Sequence, residues 1–317
     1  MTAFSGIIPP LVTPIKSYDK LDVDAVDRVI DHVVDGGVSG IFVLGTTGEG
    51  PSLTYPMRYE MVERACSVAE GRVPVLVGVT DCSFAESLYL AEHAASCVAS
   101  AIVAAAPFYF GVSQASIVDW FGKLADETAL PLMLYNMPSC VGIHLEPDSV
   151  AQLASHPNIL GIKDSSGDLT YFRTLCQRFG GRGDFSVIMG PEELVPQAVA
   201  AGADGGVCGG ANLLPHVYVE LFNASRRQDT AEVSRLKGIV DRVFSDVYRD
   251  PDGEMNLIPA LKYAMHLCRI CGFEVAPPLP TLSRQHELQI RERLPELLSL
   301  ADSPVACHPQ PVRKADV

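Results

Sequence analysis

The chain has 317 residues, 48% of them hydrophobic and 20% charged, an ordinary globular composition with enough length for one large domain or two smaller ones. Its formal net charge of −14 opposes a phosphate backbone and an anionic lipid surface alike, which argues against nucleic acid and membrane as partners. Nine cysteines, an odd count without regular spacing, suit reduced thiols better than a disulfide framework. The opening "MTAFSGIIPPLVTP" has no basic segment followed by an apolar core, and no stretch reaches about eighteen apolar residues, so a cytoplasmic protein is expected.

In chain order, eight short apolar runs rich in Val, Ile and Leu alternate with segments of helical period. They are "GIIPPLVTP" (6–14), "SGIFVLGTTGE" (39–49), "VPVLVGVTD" (73–81), "SAIVAAAPFY" (100–109), "LPLMLYNMP" (130–138), "NILGIKDSSG" (158–167), "FSVIMGPEE" (185–193) and "ADGGVCGG" (203–210). After the first run, Val23, Val26, Ile30 and Val33 recur at helical spacing. Ser83 with Glu86 suits a capping box, and Pro147 and Pro191, each beside acidic residues, suit first helical turns. Near-continuous apolar strands separated by helices imply a parallel sheet covered on both faces, and eight such units point to an α/β (β/α)₈ barrel.

The eight units are consumed by about residue 225, so residues 1–225 are expected to form the barrel and carry the site. Residues 226–301, with apolar periodicity in "VSRLKGIVDRVFSDVY" and "LIPALKYAMHLCRIC", read as a C-terminal helical extension. Residues 302–317 are Pro-rich, lack a period and are expected to be poorly ordered. Cys268 and Cys271 form a lone CxxC without a second pair, and the eight histidines show no paired ligand spacing, so no metal is expected.

Barrel chemistry sits at the carboxyl-terminal rim of the strands. Of the seven lysines, Lys163 alone closes an apolar strand, where it either snorkels to solvent or faces the pocket. An amine partly removed from water is neutral more often, and so better able to form a Schiff base with a ketone. Tyr135 ends the fifth run and could move protons, while Thr46 and Thr47 in "GTTGEG" could hold a carboxylate in a nest of donors or merely turn the chain. "GADGGVCGG" could be a phosphate site or a tight turn.

Together, "GTTGEG" (45–50), "PFY" (107–109), "YNMPSCVG" (135–142), "GIKDSSGD" (161–168) and "GADGGVCGGAN" (202–212) resemble the dihydrodipicolinate synthase and N-acetylneuraminate lyase family of Schiff-base aldolases. The resemblance runs from about Gly6 to Ser283. It implies an eight-fold barrel with a C-terminal helical bundle, usually a homotetramer, that needs no cofactor or metal. Lys163 matches the lysine that condenses with pyruvate or a related 2-oxo acid, and Tyr135 the proton-transferring phenol. Thr46 and Thr47 match the carboxylate cradle, with Thr47 also in the hydroxyl relay. Tyr109 matches a second relay tyrosine, commonly presented to the neighbouring subunit's site. Gly190 and Val207 match positions whose backbone lines the pocket.

Two departures bear on the substrate. Cys140 stands where the synthases carry an arginine that grips aspartate semialdehyde, and a thiol cannot make that bidentate, charge-assisted contact. Glu192 and Glu193 stand where the neuraminate lyases carry acids that bind sugar hydroxyls, although acidic residues there also suit a helix dipole. Gly209 stands where those lyases have a hydroxyl contact. The expected activity is therefore a pyruvate-type lyase or aldolase acting on a sugar acid, with a hydroxylated aldehyde as second partner. The alternatives are 4-hydroxy-tetrahydrodipicolinate synthase and a barrel that only binds a 2-oxo acid.

Overall fold

The computed structural model describes residues 4–308. Each of the eight apolar runs contributes one strand to a single parallel sheet: Gly6–Ile7, Ile41–Val43, Val75–Gly78, Ala101–Ala105, Leu132–Asn136, Ile159–Asp164, Ser186–Met189 and Gly205–Gly206. In space the order is first, eighth, seventh and so on down to the second. The ring closes between the first and second strands, not through a regular ladder but through a parallel bridge of Pro10 with Phe42. There Leu11 N donates to Phe42 O at 2.8 Å and Phe42 N to Pro9 O at 3.0 Å. Prolines 9 and 10 lack donors, which limits the ladder at this seam. The expected (β/α)₈ barrel with C-terminal helices is what the chain forms.

The helices form where caps and periodicity coincide. Asp22 caps Val23–Asp35, whose buried stripe is Ala25, Val26, Val29, Ile30 and Val33. Ser83 accepts from Glu86 N at the start of Phe84–Ser96, and Pro147 opens Pro147–Leu153. Pro191 differs from expectation: it precedes a single 3₁₀ turn, Glu192–Leu194, and the α-helix begins only at Val195–Ala201. The first run also continues into something unanticipated, a small antiparallel hairpin of Ile15–Ser17 with Lys20–Leu21.

Two apolar layers result. Ile8, Phe42, Leu76, Ala101, Val103, Ala105, Met133, Ile188 and Val207 fill the barrel interior, and a larger cluster lies between strands and helices. Beyond the eighth barrel helix, Pro215–Arg227, lie Thr230–Arg242, a π-helical segment Val243–Tyr248, Leu257–Leu267 and Arg284–Leu300. The first residues of the Pro-rich tail return to this region, with His308 N donating to Leu267 O at 2.8 Å; residues 309–317 of that tail lie outside the described residues. No described helix is long and apolar enough to cross a membrane.

Candidate active site

Parallel register sets the site. Tyr135 and Lys163 are direct partners on the fifth and sixth strands, so both side chains point to the same face. That face is the barrel interior: Tyr135 is 6% exposed and Lys163 4%. Lys163 Nζ lies 4.0 Å from the centre of the Tyr135 ring and 5.2 Å from that of Phe42. The snorkelling alternative for this lysine is thereby excluded. The next residues point the other way, as a period of two requires. Asn136 Nδ2 donates to Asp164 Oδ1 at 2.8 Å, and Asp164 also accepts from Ser166 N and Oγ. Burial pushes the Asp164 carboxyl above its ordinary range against these bonds.

Thr46 supplies the partner of the phenol, its Oγ1 standing 3.1 Å from Tyr135 Oη. The sequence reading gave this relay contact to Thr47, and the turn geometry corrects it. The chain reverses between Leu44 (φ 60°) and Glu49 (φ 57°), and this aims Thr46 at the fifth strand while Thr47 faces the cavity beside Lys163. The turn tolerates no side chain at Gly50, where a Cβ would meet Leu44 O at 2.2 Å. Tyr109 does not join this relay within one chain. It is 77% exposed and packs edge-on against Phe110, ring centres 5.0 Å apart.

A cavity of about 320 Å³ opens beside Lys163. Thr46, Thr47 and Tyr135 line it, as do Gly190, Glu192, Glu193, Val207 and Gly209, so eight residues singled out in the sequence meet Lys163 in one place. Phe244, Leu257 and Ile258 of the C-terminal region line it as well. Across Thr46, Tyr135 and Met137 lies a second recess of about 290 Å³, walled by Leu44, Phe108, Cys140 and Val141 among others. Cys140 belongs to the four-residue helix Pro138–Val141 at its mouth. Among the described residues, Lys163 is the only cation lining either space.

The two glutamates differ. Glu192 is 4% exposed and its carboxylate is already occupied: Oε2 accepts from Gly210 N at 2.7 Å, and Oε1 from Tyr218 Oη at 2.8 Å and Tyr248 Oη at 3.1 Å. Burial nonetheless pushes its carboxyl up to about 7. Glu192 thus braces the pocket wall, while half-buried Glu193 is the acid left to meet a ligand. The same bond decides the "GADGGVCGG" segment: the Gly210 amide is turned to a carboxylate, and residues 209–212 form a 3₁₀ turn rather than a phosphate cradle. Asn212 secures that turn, accepting from Val12 N at 3.0 Å and donating to Pro10 O and Gly209 O.

Sequence reasoning missed Tyr218, Tyr248, Glu49 and Lys262. The last two form a wholly buried ion pair beneath the threonine turn. A signal for it existed, since Lys262 interrupts an otherwise largely apolar run from Leu257 to Met265. Among the described residues, no group of three or more His, Cys, Asp or Glu is placed to hold a metal ion.

Known proteins share this architecture. A solved structure of dihydrodipicolinate synthase from Bacteroides thetaiotaomicron superposes with a TM-score of 0.89 at 40% identity, covering 93% of this chain and 99% of that one. YagE from Escherichia coli K12, solved in complex with pyruvate, gives a TM-score of 0.86 at 30% identity over 93% and 98% of the two chains. A probable 2-dehydro-3-deoxy-D-pentonate aldolase, YjhH of Escherichia coli K12, is 36% identical over 238 residues, 74% of this chain and 79% of that protein. The model of the Dihydrodipicolinate synthetase family matches residues 3–297, nearly the whole length, and the chain belongs to that family, whose members are lyases.

Proposed function

We propose that the protein is a Schiff-base aldolase that cleaves or forms a carbon–carbon bond next to a pyruvate imine on Lys163, with a hydroxylated aldehyde as the second partner. The Lys163 amine attacks the keto carbon of a 2-oxo acid, and loss of water gives an iminium. Removal of the proton from the C4 hydroxyl then breaks the C3–C4 bond; the electron pair moves into the iminium to give an enamine, and the aldehyde departs. Protonation of the enamine and hydrolysis release pyruvate and return the amine. Tyr135 is the group within reach to carry these protons, oriented by Thr46. Thr47 and the backbone at Gly190 and Val207 face the 2-oxo acid in the cavity. The active unit is a homotetramer in the cytoplasm. Free thiols at all nine cysteines and the exposed Tyr109 and Phe110, available to a neighbouring copy, support this.

The observation that carries the substrate reading is that, among the described residues, Lys163 is the one cation lining the two spaces. Once that amine is an imine, a second substrate bearing a carboxylate meets Cys140, Val141 and the acid Glu193. A polyol meets acceptors suited to its hydroxyls. The relatives divide between sugar-acid aldolases and synthases, and this lining favours the former. The test is a panel of aldehydes with pyruvate: kcat/KM for at least one hydroxylated aldehyde should exceed that for aspartate semialdehyde. The reverse order would establish the synthase reading.

A further inference from the structure

The wholly buried pair Glu49 and Lys262 spans 213 residues of sequence beside the threonine turn. Lys262 Nζ donates to Glu49 Oε1 and, at 2.7 Å, to Glu274 O; the other carboxylate oxygen accepts from Ala276 N at 2.6 Å. Burying two charges is costly, and apolar side chains of similar volume fill such a place at a lower desolvation penalty. Packing alone therefore does not call for charge here. What the pair adds is direction, because each of its bonds fixes an angle.

Both ends of the pair reach the site. Glu49, in the left-handed conformation, ends the turn that carries Thr46 and Thr47; its N donates to Thr46 O at 3.0 Å, and Gly50 N donates to Gly45 O at 3.2 Å. Thr13 Oγ1 holds the same turn from the first strand's loop, donating to Gly48 O at 2.6 Å. At the other end, Lys262 lies one turn beyond Ile258, which with Leu257 lines the cavity.

We infer that Lys262 is a positioning residue for the reaction: through Glu49 it fixes the turn of residues 45–50 so that Thr46 Oγ1 stays on the Tyr135 hydroxyl. The proton transfers of Tyr135 depend on this brace, whereas imine formation at Lys163 does not. The C-terminal helical region is in this sense part of the active site. The inference rests on the Schiff-base reading above.

The test uses full-length Lys262→Met, Glu49→Gln and their double variant. Three readouts are compared: turnover with its pH profile, thermal unfolding, and trapping of pyruvate by borohydride at Lys163. Each variant should lose at least about tenfold in kcat, less than the about 10² to 10⁴ of losing the acid–base group itself, and the pH profile of turnover should change. Trapping should persist at close to wild-type yield. The double variant should be no worse than the worse single, since all three remove one brace. It leaves no unpaired buried charge, so it decides the matter if a single variant does not fold. A folded double variant with wild-type kcat and pH profile overturns the inference, as does loss of trapping in step with turnover. Failure of the wild-type protein itself to trap pyruvate would instead overturn the Schiff-base reading.

Discussion

Tyr135→Phe separates two roles that the same side chain plays. The ring lies at the wall of the barrel interior, edge-on to Phe42 with centres 6.4 Å apart and 4.0 Å from Lys163 Nζ, and phenylalanine keeps all of this. Only the hydroxyl is lost, and with it one hydrogen bond to Thr46. Such a bond contributes about 1 kcal/mol net to folding, so the midpoint of urea unfolding should move little. Removing a positioned acid–base group costs about 10² to 10⁴ in turnover, or roughly 3–5 kcal/mol on the barrier. Pyruvate should still be trapped on Lys163, because the amine and the cavity are intact. The assays are aldol turnover at saturating pyruvate, urea unfolding, and mass analysis after reduction. A variant that turns over its preferred substrate at near wild-type rate would refute a catalytic role for the phenol. A stability loss as large as the barrier change would show that the hydroxyl serves the fold instead.

Cys140→Arg should raise kcat/KM for aspartate semialdehyde by about ten- to a hundredfold, the scale of one charge-assisted contact, in a steady-state comparison with the wild type; no gain would mean that the semialdehyde does not pass this mouth. Glu192 makes folding pH-dependent in a stated direction. Burial holds its carboxyl at about 7 against an ordinary 4.5, so the native state keeps a proton that the unfolded chain has lost. That stabilisation is fully present below about pH 4.5 and is lost as pH rises through 7. It amounts to about 3 kcal/mol at most, at about 1.4 kcal/mol per pKa unit. Between pH 5 and 8 the unfolding free energy of the wild type should fall relative to that of Glu192→Gln; a constant difference would show that the carboxylate is ionised throughout.

The parts of the structure legible in sequence are those that follow from periodicity and strand ends. Eight apolar runs give eight strands because a sheet covered on both faces must be apolar on both. Lys163 and Tyr135 meet because the two runs end in register. What escaped is geometry set by contacts distant in sequence. Thr46 and Thr47 are adjacent, and only the left-handed residues at both ends of their turn decide which one faces the phenol. Glu192 and Glu193 are equally acidic, but Tyr218 and Tyr248, from two later helical segments, reach only the first. Lys262 looked like a helix lysine because its partner lies 213 residues away. The seam of the barrel was also hidden, because prolines 9 and 10 replace a regular ladder with a single bridge.

The central claim is that Lys163 forms the covalent bond. Incubating the protein with pyruvate and borohydride, followed by intact-mass measurement and peptide mapping, tests it most directly. The mass should increase by one pyruvate less water plus two hydrogens, located on the peptide containing Lys163, and Lys163→Arg should remove the increase because a guanidinium stays protonated. An adduct mapped to another lysine, or an increase retained by Lys163→Arg, would contradict the claim.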